Sequence, residues 1–470
     1  MSHFPIQLIT SLSGVAAHTL IIEIRSISRV QTLIQYGFSD LQIKKIWENF
    51  DLSKEKKEKT LIFSHISTTF NQIICFFPSE ELMDDRSEYF QTINKEVIFF
   101  PEDEELDAFE AITLSTYSFE KYLTKTKEYQ VTLLISQKNL AKIEAKKPLL
   151  EAIIWARNLI NTPAKDTTPE KIVDEIQKYP WKHCTIDIFN KADLEKLWCN
   201  LLLAVGAGSD NPPYMVIIKP KNPPKWEKYG FIGKGVTFDA GGIQIKPDTA
   251  MLDMKCDMSG AAGMIALAMY LDTLSTLPVN ITVGVWLTEN MTGWSAFKPL
   301  DIYRAYNNTT VEIHHTDAEW RLVLADVMSY IERQYHIEHL VTMATLTGAC
   351  VYALWNDISG IMGDDEDVIS TLIDNRSPYE KVWRLPMNEK FKKSLKADIA
   401  DIKNIAKSEK AGSSIGGAFL SYFQWNAKLT HLDIAGPAYR ETTYGYMTKW
   451  GTGWGVKLLS EFLIGKWKSK

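Results

Sequence analysis

Four carboxylates, two lysines and an arginine fall in two short stretches of this 470-residue chain. The first, GKGVTFDAGGIQIKPDTAMLDMKCDMSGAA, carries Lys234, Asp239, Lys246 and Asp257; the second, HTDAEWR, carries Asp317, Glu319 and Arg321. Four acids balance the charge of two divalent cations, and shared carboxylates hold such ions about 3.5–4 Å apart in two-metal hydrolytic sites. A lysine joins a ligand set only when deprotonated, which a bound cation favours. Lys234 is assigned that role, and Lys246 stays cationic to polarise a substrate carbonyl. Arg321 is left to hold an anion. Taken singly, each acid reads as a helix cap or a surface charge, and Asp257 opens an apolar helix where capping alone would account for it. The conjunction is what points to metal-assisted hydrolysis. Extended backbone between Asp317 and Glu319 would aim both to one side.

Other chemistries fit less well. GKG lacks the Ser or Thr after the lysine and the earlier glycine that a phosphate loop needs. His314 and His315 are adjacent, so on a strand they would face opposite ways, and no HExxH is present. Cys256 has no paired base and reads as packing; Ser259 has no histidine partner. A two-metal phosphoesterase is disfavoured by Lys234, because such sites usually draw on His and carboxylates.

The elements that must position these residues follow from hydrophobic periodicity. Segments 20–24, 60–63 and 131–135 read as strands, and 39–49 and 109–121 as helices. Strands are expected again at 201–205, 215–218, 231–232, 281–286, 340–344 and 431–434, with helices at 258–274 and 322–334. Helices alternating with apolar strands predict a mostly parallel sheet covered on both faces. The fold class is therefore α/β in two domains: a smaller N-terminal α/β domain over 1–145 and a larger catalytic α/β/α domain over 146–470. The Lys- and Ala-rich stretch 138–148 is read as the linker. Lys234 would stand at the carboxyl end of its strand, the edge where open α/β sheets bind ligands.

Bulk properties narrow the classes further. The net charge is -6 and the pI about 5.9, which disfavours nucleic acid as a partner. Five cysteines without a CxxC pair point to a reducing, cytoplasmic compartment. The N-terminus lacks a basic n-region, and no apolar run is long enough to span a membrane.

Residues 231–260, 312–326 and 340–350 resemble the leucine aminopeptidase (cytosol aminopeptidase) family. ARNLINTP at 156–163, LLLAVGAGS at 201–209, ATLTGAC at 344–350, WRLP at 383–386, HLDIAGPA at 431–438 and ITLSTYSFEKY at 112–122 agree with it. The resemblance implies that Lys234, Asp239, Asp257 and Glu319 bind the tighter metal, and that Asp239, Asp317 and Glu319 bind the more exchangeable one. It implies zinc or manganese, with magnesium possible at the exchangeable site, and a water bridging the ions as nucleophile. Lys246 would be catalytic, and Arg321 would hold a bicarbonate as general base. Peptides with a free N-terminus would be the substrates and a homo-hexamer the assembly. A catalytically impaired hexameric binding protein on the same scaffold is the alternative.

Tryptophan breaks the pattern. The chain has 14 Trp and 25 Gly, the latter fewer than the roughly 7% usual for glycine. Trp198, Trp294, Trp320, Trp355 and Trp450 stand where the family pattern has glycine, whereas Trp383 and Trp454 suit it. Leu300, Lys165 and His315 are further departures, the last replacing the usual Asn. All seven polar site positions are nonetheless present. Some bacteria read UGA as glycine, and translating that codon as Trp would produce this pattern. If the Trp residues are real, Trp320 is expected to crowd the anion held by Arg321.

Overall fold

The computed structural model describes residues 131–275, 280–375, 377, 379–407 and 410–468. It also describes 6–9, 19–23, 43–44, 60–64, 72–76, 82–91, 97–101 and 105–126. Two compact units are present: Met1–Glu151 with Thr442–Thr448, and Ala152–Glu441 with Lys449–Lys470.

The first unit holds a six-stranded sheet in the order Ile6–Ile9, Val131–Leu134, Val97–Phe100, Thr19–Glu23, Gln72–Phe76, Thr60–Ser64. All pairings are parallel except the last. Leu20, Ile21 and Ile22 are fully buried, as expected for a strand covered on both faces. The helix expected at 109–121 runs over Glu105–Ser115. The helix expected at 39–49 lies almost wholly outside the described residues. The stretch 138–148, read as a linker, is helical: it forms the start of the 25-residue helix Gln137–Asn161, which accommodates Pro148.

The second unit is built on a larger sheet. At its middle, Lys428–Asp433, His339–Ala344, Lys228–Gly233 and Asn280–Asn290 run parallel. Antiparallel neighbours flank them, Ile358–Gly363 on one side and Tyr214–Pro220 on the other. Val236–Asp239 adds a short parallel pairing to the end of Asn280–Asn290. Helix Trp320–Tyr335 covers one face; its Val327 and Ile331 share a core with Ile217, Ile232, Trp286 and Leu340. Tyr229 and Phe231 alternate with Ile232 and so face the opposite way. There Tyr229 meets Phe462 of helix Val456–Lys468, edge to face at 5.9 Å. That helix packs on Ser259–Thr273, which itself lies against the central strands.

One expected strand is a helix. The run at 201–205 lies in helix Asn200–Gly206. A short apolar run does not distinguish the two states. What decides it is remote: Leu201 and Leu202 donate their N–H groups to Asp326 Oδ2 at 2.8 and 3.1 Å, so a carboxylate from helix Trp320–Tyr335 caps the turn.

Candidate metal centre

Each acidic side chain hangs from a different element at the carboxyl edge of the parallel strands. Lys234 follows directly on Lys228–Gly233. Its N–H donates to Met343 O at 3.0 Å and its carbonyl accepts from Ala261 N at 2.7 Å. The strand ends are thereby bonded to the start of helix Ser259–Thr273. A Cβ at Gly260 would lie 2.2 Å from Met343 O, so only glycine permits that approach. Asp257 sits one turn earlier, on the 3-10 helix Met254–Met258. Asp239 ends Val236–Asp239, and its Oδ1 accepts from Gly241 N and Asn290 Nδ2, each at 2.9 Å. The chain then reverses through Gly241, at φ 89.

Asp317 and Glu319 are not on extended backbone, which corrects the alternation expected for them. Asp317 lies in a turn, and Glu319 is the residue preceding helix Trp320–Tyr335, with φ -79 and ψ -34. They reach the same site because the turn is pinned on two sides, not because a strand alternates. Thr316 Oγ1 donates to Gly241 O at 2.7 Å, and Thr316 N donates to Gln244 Oε1 at 2.8 Å.

The side chains converge. Asp239, Asp257 and Glu319 offer oxygens that all lie within 4.8 Å of one another. Lys234 Nζ is 2.6 Å from Asp257 and 3.2 Å from Glu319 Oε1. Lys246 Nζ is 2.9 Å from Asp239 Oδ2 and 2.5 Å from Asp317 Oδ1. Lys234, Asp239, Asp257 and Glu319 are buried, and Asp317 is partly exposed, its side chain 25% accessible.

Burial and mutual repulsion raise the Asp257, Asp317 and Glu319 carboxyls above their ordinary range, with Lys234 and Lys246 pulling the other way. Burial disfavours the lysine charges, but the surrounding carboxylates outweigh it and both ammonium groups titrate higher than usual. Without cations, this cluster holds protons tightly. Glu319 Oε2 is buried and accepts no hydrogen bond from the described residues, a costly condition unless a cation meets it. Hard oxygen donors with one amine suit divalent ions. The residues present therefore fit a pair of divalent cations.

Arg321 is buried beside this cluster, and its Nε has no hydrogen-bond partner among the described residues. Burial lowers its pKa to about 10, with Glu319 and Asp433 opposing. The guanidinium carbon lies 4.4 Å from the centroid of the Trp320 ring, which stacks on His431 at 6.2 Å. Trp320 is thus packed against the guanidinium.

Three of the five tryptophans expected to stand at glycine positions have left-handed backbone: Trp198 at φ 62, Trp355 at φ 62 and Trp450 at φ 76. Leu300, another departure, is at φ 70. Trp294 is fully exposed, and Trp320 begins a helix; neither has positive φ.

Several contributors escaped sequence reasoning. Thr345 Oγ1 donates to Asp257 Oδ1 at 2.8 Å, and Lys234 Nζ donates to Thr345 O at 3.1 Å. Asn290 links Asp239 to Thr316 O, 3.1 Å away. Thr345 and Asn290 follow or end apolar strands at the carboxyl edge, and that placement was the available signal.

Comparison with known proteins agrees with the geometry. The sequence model for the catalytic domain of the cytosol aminopeptidase family matches residues 154–460. The probable cytosol aminopeptidase of Protochlamydia amoebophila (strain UWE25) is 37% identical over 383 residues, covering 76% of this chain and 75% of that one. That of Geobacter sp. (strain M21) is 36% identical, covering 75% and 74%. The crystal structure of cytosol aminopeptidase from Coxiella burnetii superimposes with TM-score 0.83 at 25% identity, covering 98% of this chain and 99% of that one. The bottromycin maturation enzyme BotP in complex with Mn does so with TM-score 0.82 at 25% identity, covering 96% and 100%. A cage of acids and lysines at the carboxyl edge of the sheet, on a scaffold shared with these relatives, leads to one assignment: the chain belongs to the cytosol aminopeptidase family and is a metallo-aminopeptidase.

Proposed function

We propose that the chain removes N-terminal residues from peptides using two divalent cations. Lys234, Asp239, Asp257 and Glu319 would hold one, and Asp239, Asp317 and Glu319 the other. The supporting observation is the convergence of these groups from four separate elements, with Glu319 Oε2 buried and unpaired. The two ions, zinc or manganese with magnesium at the exchangeable position, supply Lewis acidity and acidify water when bound. Lys246 keeps its proton and aims its ammonium at the scissile carbonyl oxygen, where charge develops. Arg321 presents a buried guanidinium that suits a small oxyanion such as bicarbonate as the proton acceptor. An acidic cluster of this kind suits a substrate with a free basic amine, which makes the activity exopeptidic.

The family likeness further supports a cytoplasmic homo-hexamer, with 146–470 as the catalytic domain and 1–145 as a separate one. No described helix is long and apolar enough to cross a membrane.

Hydrolysis of leucyl-anilide and of N-acetyl-leucyl-anilide by manganese-loaded protein tests the proposal. The first should be cleaved and the second should not. Cleavage of neither by folded, metal-loaded protein favours the impaired binding protein, for which Trp320 packed on Arg321 is the observation in favour.

A further inference from the structure

The turn that carries Asp317 lacks a strand ladder of its own. Four of its backbone groups are instead satisfied by one side chain from a segment almost ninety residues away. Asn404 directly follows strand Ile402–Lys403, which pairs in parallel with Thr310–Glu312, and Asn404 N donates to Glu312 O at 3.0 Å. Asn404 is fully buried. Its Oδ1 accepts from His314 N at 2.7 Å and from His315 N at 3.2 Å. Its Nδ2 donates to His315 O at 2.6 Å and to Ala318 O at 3.3 Å. Both ends of the amide are therefore spent on 314–318, and the two carbonyls it holds flank Asp317.

The opposite side of the same turn is held by Asn290 and Gln244 through Thr316. Glu319, by contrast, is placed by the helix that begins after it. Asp257 and Lys234 are fixed by the strand–helix junction around Gly260. Asp317 lies inside the segment that Asn404 holds, where its own N–H donates to His315 Nδ1 at 3.1 Å, whereas Glu319 lies just past the last carbonyl held.

We propose that Asn404 is a positioning residue that sets the place of Asp317 relative to Asp239 and Glu319, and so selectively governs the second cation. The inference rests on the two-cation reading. Carboxylates that orient metal ligands usually change metal affinity about 10–100-fold when lost, and an amide that fixes a ligand's backbone acts on the same geometry. Aspartate at this position has nearly the same shape but cannot donate to His315 O and Ala318 O.

Manganese titration of the apo full-length protein, by calorimetry and native mass spectrometry, tests this for the parent, N404D, and the milder N404S in case N404D does not fold. Glu332→Gln serves as a control. Glu332 is a buried clamp of similar kind that accepts from the N–H groups of Trp425, Asn426 and Ala427, away from the cluster. The expected result is a first ion bound within about threefold of parent and a second ion weakened by about tenfold or more, with E332Q leaving the ratio unchanged. Both ions bound as in the parent, both weakened in equal proportion, or E332Q reproducing the selective loss would overturn the inference. A parent that binds fewer than two ions would overturn the two-cation reading and this inference together, so the two failures are distinguishable.

Discussion

Replacing Trp355 by glycine should stabilise the protein, whereas replacing it by alanine should not. Trp355 ends helix Gly348–Leu354 with φ 62 and ψ -165, a combination that is essentially restricted to glycine. Holding any other residue there costs about 1–3 kcal/mol. The side chain is 71% exposed, so little packing is lost on removing it. Glycine gives back about 0.5–1 kcal/mol through its freer unfolded chain. The net gain is about 0–2.5 kcal/mol, centred near 1 kcal/mol. Alanine retains the Cβ that makes the conformation unfavourable, so it should recover almost none of it. Urea unfolding of metal-free protein, followed by circular dichroism, reads the difference as a shift in midpoint at constant slope. Equal stabilities for the glycine and alanine variants would refute the reasoning. Trp198, with φ 62, ψ 34 and 69% exposure, should behave similarly with a smaller gain. These backbones support the proposal that UGA-encoded glycines stand at some of the five positions. The codons for residues 198, 294, 320 and 355, and the intact mass of the protein from its native source, decide it; TGG at all four rules that explanation out.

Lys246→Ala should lower kcat by about 10²–10³ while leaving both cations bound, as steady-state kinetics and metal analysis of the same sample would show. Cation binding should be stronger at higher pH. Asp257, Asp317 and Lys234 all hold their protons more tightly in the cation-free fold than in the unfolded chain, so protons compete with cations as pH falls. The manganese-induced rise in melting temperature should therefore be larger at pH 8 than at pH 5.5, and an equal or reversed effect would contradict the linkage. Cys256 is buried beside Asp257, and burial raises its thiol pKa far above the ordinary value. Cys256→Ala should keep the parent's kcat, and iodoacetamide at pH 8 should leave activity intact.

Much of the site was legible because its chemistry is concentrated. Lys234, Asp239, Lys246, Asp257, Asp317 and Glu319 are joined by ion pairs and close oxygens in the structure. The strands expected at 215–218, 281–286 and 340–344 lie within Tyr214–Pro220, Asn280–Asn290 and His339–Ala344. What failed was decided by partners distant in sequence. The helix Asn200–Gly206 depends on Asp326, and the turn at Asp317 depends on Asn290, Gln244 and Asn404. Local periodicity carries no trace of such contacts. The stretch 138–148, read as a linker, is helical, in keeping with its Lys and Ala, which are good helix formers, and the helix tolerates Pro148.

The most direct test is anomalous diffraction from crystals grown with manganese. Two peaks a few ångströms apart are predicted, one within reach of Lys234 Nζ and Asp257, the other beside Asp317, both touching Asp239 and Glu319. A single peak, or two that leave Lys234 still paired with Asp257 as an ammonium, would contradict the account.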